Sequence, residues 1–174
     1  MRTAKRSATM FKKLTTPQLA ALAQQIIDRR LPPLEERDAP SALIPPQLLG
    51  CDGPSRTLEL AYETKSWMRN PADILHGGIT ATLLDSSMGV ACLCFSGVDF
   101  APTVSMNLQY LRPAPLNATV AVRARVVSLG RTLSHTTAEL YLPHAPEQIL
   151  ACASGVYYTA GDSSLKPRQD NREA

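Results

Sequence analysis

The 174-residue sequence sets 18 Lys plus Arg against 15 Asp plus Glu, a formal charge of +3, with 44 % hydrophobic, 19 % charged and 5 % aromatic residues. This is the composition of a globular chain; it excludes a collagen-like or wholly disordered one, because apolar content is high and the nine glycines show no repeat. The length suits one domain of ordinary size with an appendage.

Residues 1–13 carry Arg2, Lys5, Arg6, Lys12 and Lys13 and no acid, so the rest of the chain is net −2. We read them as a basic, solvated, flexible tail. Basic charge on a tail rather than on a folded surface argues against a nucleic-acid partner. The same residues lack an apolar run of the secretory type. Thr16-Pro17 reads as an N-cap followed by proline at the first helical position. Leu19, Leu22, Ala23 and Ile26 recur at helical spacing, which predicts an amphipathic helix over 17–30. Residues 31–54, rich in proline, read as an irregular extended connection.

From Arg56 the pattern changes. Leu58, Leu60 and Tyr62 alternate with Thr57, Glu59 and Ala61 and predict a strand. Residues 65–76, with Asn70-Pro71, read as a loop. A long, almost uncharged helix is predicted from Gly77 to about Phe95. Segment Ile74–Phe95 has Asp85 as its one charge and is nearly long enough to span a bilayer. His76, paired glycines, serines and a central Asp make insertion costly, so a buried helix is the better reading and no membrane span is expected. Four strands are predicted next, at 102–111, 118–129, 131–142 and 148–159, with turns at Leu129-Gly130-Arg131 and Pro143–Pro146. Residues 161–174 read as a polar tail. Consecutive strands joined by short turns imply antiparallel pairing. A sheet that wraps a single helix leaves a face and edges in need of cover, so a homodimer is expected.

Cys51, Cys92, Cys94 and Cys152 match neither zinc-ligand nor disulfide spacing and read as small buried residues of a reducing compartment, placing the chain in the cytoplasm with no metal. The chemistry concentrates in Asn70–Asp85. Gly77 and Gly78 open the predicted helix, where amides lack intrahelical acceptors and the positive end of the dipole stands behind them. Glycine lets a ligand oxygen approach, an arrangement suited to a developing oxyanion. Asp85 follows two turns later, a carboxylate costly to bury without partners or a purpose.

With these residues, 55–160 resemble the hotdog-fold acyl-CoA thioesterases of the phenylacetate-pathway (PaaI-like) type. The matching elements are Asn70, His76-Gly77-Gly78, Leu84-Asp85, the run Thr103-Val104-Ser105-Met106-Asn107-Leu108-Gln109-Tyr110-Leu111-Arg112-Pro113-Ala114, and Gly130-Arg131-Thr132-Leu133. The resemblance implies an α+β hotdog fold, an antiparallel sheet wrapped around one long central helix, here with an extra N-terminal helix. The expected divisions are the tail 1–13, the helix and connection 14–54, the hotdog domain 55–160 and the tail 161–174.

The resemblance also implies acyl-CoA hydrolysis in sites shared by two subunits, with dimers pairing into tetramers and no cofactor beyond the coenzyme A of the substrate. Asp85 would activate water or attack directly. The Gly77 amide would bind the carbonyl oxygen, Asn70 and His76 would shape the thioester end, and Thr103 would hold the water. Coenzyme A would lie along Gly78, Ser105, Tyr110, Arg112, Pro113, Gly130, Arg131 and Thr132, with the two arginines suited to phosphates. Asp73 stands where many relatives have glycine, which bears on the loop before His76. Plainer roles exist for each: a structural acid at Asp85, a cap at His76, a turn former at Asn70, a strand residue at Thr103, solvated charges at Arg112 and Arg131. Trp67, His135 and His144 stand in no constellation. The competing functions are a non-catalytic acyl-CoA-binding or scaffold hotdog protein and a hotdog dehydratase.

Overall fold

The computed structural model describes residues 14–30 and 39–160. The tails expected at 1–13 and 161–174, and residues 31–38 of the proline-rich connection, lie outside the described residues.

Helix α1 spans Thr16–Arg30. Its cap is Thr15, one residue earlier than the sequence suggests: the Thr15 N–H donates to Gln18 Oε1 at 2.9 Å, and Leu19 N–H returns to the Thr15 carbonyl. Leu19, Ala23 and Ile27, at four-residue spacing, are buried against the domain.

The connection 31–54 is less irregular than expected. It contains a single helical turn, α2 (Pro40–Leu43), and a strand, β1 (Gln47–Asp52). Strand β1 pairs antiparallel with β2 (Thr57–Glu63), so the folded domain begins before residue 55. The open edge of β2 supplies donors and acceptors that the passing chain takes up.

Helix α3 (Gly77–Ser96) is the centre of the molecule, with 12 of its 20 residues buried. It ends at Gly97, whose φ of 69° closes the helix through its N–H to the Leu93 carbonyl. By length and apolarity it could cross a membrane, but most of it is buried against the sheet. The buried Tyr62 hydroxyl meets Ser87 Oγ at 2.8 Å, tying helix to sheet.

Strands β3 (Thr103–Tyr110), β4 (Thr119–Leu129), β5 (Leu133–Leu142) and β6 (Ala145–Tyr158) complete an antiparallel sheet of order β1-β2-β4-β5-β6-β3, and α3 packs against β2 through β6. Along β4, Val120, Val122, Ala124 and Val126 face the core, while Arg123 is half-buried and Arg125 exposed. One expectation fails: β3 and β4 follow one another but do not pair. The intervening segment carries Pro113 and Pro115, and Ala114 is bonded to the loop before α3 (Leu75 N–H to Ala114 O, 3.0 Å). The chain therefore crosses to the sheet centre instead of turning back, and β3 is left as an open edge.

Candidate active site

The expected residues fall into two groups at opposite ends of β3. The first is built on the loop before α3. Asn70 folds that loop on itself: its Oδ1 accepts from Ala72 N–H at 2.9 Å and Ile74 N–H at 3.3 Å, and its own N–H donates to the Ile74 carbonyl. Asp73 adopts a φ of 56°, the left-handed region that favours glycine, and its exposed carboxylate lies 3.7 Å from Arg69. The expected departure at Asp73 is therefore absorbed locally, since Asp tolerates that region better than most residues.

His76 is the N-cap of α3, and its Nδ1 accepts the Gly78 N–H at 2.9 Å. This cap uses the Gly78 amide and leaves the Gly77 N–H, at the first helical position, without an intrachain acceptor among the described residues. The Tyr110 hydroxyl donates to the Gly77 carbonyl at 2.9 Å, and a Cβ on Gly77 would come within 3.0 Å of that hydroxyl oxygen. An open cleft of about 420 Å³ runs from here, lined by Asn70, Gly77, Tyr110, Arg112 and Pro113, with Thr80, Leu140 and Ala151 as lining residues that sequence reasoning does not single out. The Arg112 Nη1 donates to the Ile149 carbonyl at 2.7 Å, so one of its guanidinium nitrogens serves the fold.

The second group surrounds Asp85, which is half-buried two turns into α3. Thr103 Oγ1 donates to Asp85 Oδ1 at 2.7 Å. The Tyr157 hydroxyl, also 2.7 Å from that oxygen, is a second donor, and it lies 2.9 Å from the Asp85 carbonyl. Among the described residues nothing donates to Asp85 Oδ2. Burial, and next the Asp85 charge, push the Tyr157 phenol far above its ordinary value, so it is a neutral donor. Tyr157 is absent from the sequence-derived set because a tyrosine on a strand is unremarkable; the register that sets it across from Thr103 is what reveals it.

The turn Gly130-Arg131-Thr132 lies at this same end of the sheet, beside the β5–β6 pair Leu133–Tyr158. Gly130 is required there, because a Cβ would collide with the Leu133 carbonyl oxygen, and the Gly130 N–H donates to that oxygen at 3.0 Å. The Thr132 carbonyl accepts from Thr159 N–H, and Arg131 is exposed. Ser105 stands exposed on the open edge strand. Neither Asp85 nor this turn lines the cleft at Gly77. Eight residues of helix separate Gly77 from Asp85 by about 12 Å, and β3 separates Thr103 from Tyr110 by about 23 Å. A single chain thus holds the two groups of residues apart. Among the described residues no three His, Cys, Asp or Glu side chains gather as metal ligands would.

Comparison with known proteins agrees with this architecture. Residues 72–145 match the family model of the thioesterase superfamily. The human acyl-coenzyme A thioesterase 13 is 38 % identical over 71 residues, covering 41 % of this chain and 51 % of the relative, and the mouse protein of that name is 34 % identical over the same length. The chain thus spans about half the length of the curated relatives it matches. Among solved structures, the PaaI protein of E. coli superposes with a TM-score of 0.66 at 20 % identity, over 81 % of this chain and 95 % of that one. Thioesterase superfamily member 2 of Mus musculus gives 0.65 at 20 % identity, over 84 % and 99 %. The chain has a hotdog fold like that of PaaI, and its residues 72–145 match the thioesterase superfamily model.

Proposed function

We propose that the chain hydrolyses acyl-CoA thioesters to a free acid and coenzyme A. The observation that carries this reading is the Asp85 carboxylate, with Oδ1 held by Thr103 and Tyr157 and Oδ2 left open. In the proposed reaction Oδ2 takes a proton from a water as that water attacks the thioester carbonyl carbon. Negative charge gathers on the carbonyl oxygen, which the free Gly77 amide at the helix start receives, with the Asn70 side-chain amide nearby. The C–S bond then breaks and the coenzyme A thiolate leaves and takes up a proton. A thioester is activated enough that a carboxylate base suffices, and no cofactor is required. His76 acts here through its cap, which commits the Gly78 amide and so leaves the Gly77 amide to the substrate.

The two halves meet if a second copy pairs along β3. That strand is an open edge, and its Val104 and Tyr110 are 57 % and 58 % exposed, an apolar edge of the kind that calls for a partner. A two-fold axis between Met106 and Asn107 would set Thr103 opposite Tyr110 of the partner subunit. Asp85 would then face the Gly77 cleft of the other chain, giving two shared sites per dimer. Coenzyme A would follow Tyr110, Arg112 and Pro113 of one subunit. Ser105, Gly130, Arg131 and Thr132 of the other would approach its phosphates. Further pairing of dimers into a tetramer, and a reducing cytoplasmic setting suited to four free cysteines, belong to the same proposal.

The test is release of free thiol from short, long and aromatic acyl-CoAs by the wild type and by Asp85→Ala. The reading predicts hydrolysis of at least one class and a loss of about 10²–10⁴ in kcat for the variant. A variant that keeps near-normal rates on every substrate would remove Asp85 from the chemistry. Enoyl thioester formed from a 3-hydroxyacyl-CoA without free thiol would instead indicate a dehydratase, and binding without turnover a scaffold. Isotopic oxygen from solvent appearing in Asp85 after a single turnover would mark direct attack rather than activation of water.

A further inference from the structure

We propose that Tyr157 is a positioning residue for the Asp85 carboxylate: its hydroxyl and that of Thr103 clamp the same oxygen, so that the other oxygen is aimed at the reacting centre. The assignment rests on the thioesterase reading above. Thr103 and Tyr157 are direct partners in the β3–β6 register, so sheet pairing itself delivers two donors to one spot on α3. Both hydroxyls reach Oδ1 at 2.7 Å. The Tyr157 hydroxyl also lies 2.9 Å from the Asp85 carbonyl, so one group touches both side chain and main chain of the same residue. Two donors on one oxygen resist rotation of the carboxylate about its last torsion, which is otherwise a broad well.

The two donors differ in kind. Thr103 is exposed on the open edge, within reach of water, whereas Tyr157 is only 1 % exposed and its ring is locked in the core. Thr103 can therefore exchange partners during a reaction, and Tyr157 is the fixed half of the clamp. Its place is prepared two residues earlier. A Cβ on Gly155 would stand 2.9 Å from Tyr157 Cε2 and 3.2 Å from Met88 Cε, so glycine at 155 makes room for the ring to lie across the strand toward α3. Buried this way, the phenol remains protonated through the neutral range and stays a donor. It touches no part of the cleft at Gly77, so its effect on the reaction passes through Asp85.

The test uses the full chain and reads three quantities: kcat and KM for an acyl-CoA that the wild type hydrolyses, the Kd of a non-hydrolysable thioether analogue of that substrate, and the melting temperature. Tyr157→Phe keeps the ring and removes the donor; kcat should fall about 10- to 100-fold with KM and Kd unchanged, the scale expected of a misaimed catalytic group. Gly155→Ala, which keeps the hydroxyl but pushes the ring, should show the same split and decides the matter if Tyr157→Phe does not fold. Combined with Thr103→Val, Tyr157→Phe should depart from additivity, because both hold one oxygen.

A folded Tyr157→Phe with kcat within about threefold of wild type would overturn the assignment. So would a loss confined to melting temperature, or a rise in KM and Kd at constant kcat. Those results would leave the thioesterase reading intact. Failure of the wild type to release thiol from any acyl-CoA would overturn that reading and this assignment with it.

Discussion

Gly77→Pro isolates the amide on which the proposed oxyanion site depends. Gly77 occupies the first helical position after the His76 cap, where proline is accommodated because its N–H would have no intrahelical acceptor. His76 has φ −60° and ψ 136°, an extended backbone compatible with a following proline. The substitution therefore deletes one N–H and little else. Its structural costs can be bounded. A Cβ at 77 comes within 3.0 Å of the Tyr110 hydroxyl oxygen, which ends an exposed side chain and can move, at worst losing its hydrogen bond to the Gly77 carbonyl. Such a bond contributes about 0.5–1.5 kcal/mol net. Replacing glycine with proline where the backbone already fits returns about 0.4–1 kcal/mol by restricting the unfolded chain. The two nearly cancel, so the melting temperature should change by only a few degrees.

Catalysis should behave differently. Loss of one oxyanion donor lowers kcat by about 10²–10³, or about 3–4 kcal/mol in the barrier. Continuous thiol release from a hydrolysed acyl-CoA, run beside a thermal melt, measures both quantities. Gly77→Ala brings the same Cβ beside Tyr110 but keeps the N–H, and should lose only a small part of the rate. A Gly77→Pro protein that melts like the wild type and turns over at the wild-type rate would refute the oxyanion assignment.

Other consequences of the structure are open to measurement. Gly130→Ala forces a Cβ into the Leu133 carbonyl oxygen and should cost about 1–3 kcal/mol, seen as a lower urea midpoint with an unchanged slope; an unchanged midpoint would show that the turn has another conformation. Burial pushes the Cys92 and Cys94 thiols from 9.0 up to about 12, so the folded state holds protons that the unfolded state releases. The stability from these neutral thiols is complete below pH 9.0 and is lost as pH rises from there through about 12. Melting temperature against pH should decline over that window, and Cys94→Ala should flatten the decline; a wild-type curve level to pH 11 would contradict the burial of both thiols.

Much of the fold is legible residue by residue. The run from Gly77 to Ser96 has a single charge, so a buried helix with one exceptional carboxylate is visible directly, and the alternation of Val120, Val122, Ala124 and Val126 gives a strand with its inward face. Strand β1 is hidden because Gln47–Asp52 lies among prolines and contains Gly50; it becomes a strand only because β2 presents an open edge. The position of β3 depends on where the proline-containing segment after it is anchored, a tertiary fact. In the site, Asp85 and Gly77 stand out by chemistry alone, while Thr103 emerges through the family resemblance. Tyr157 needs the sheet register, and the use of His76 as a cap needs the geometry of its Nδ1. The separation of the two groups follows from helix rise and strand length once those elements are placed.

The central claim is that neither half-site works without a second chain. It is tested by mixing two inactive proteins, Asp85→Ala and Gly77→Pro, under conditions that exchange subunits. In a mixed dimer one site lacks both groups and the other has both, so random pairing of equal amounts should restore about a quarter of the wild-type thiol-release rate. Mixtures no more active than their parents, with exchange verified by tagged subunits, would contradict a site shared between chains.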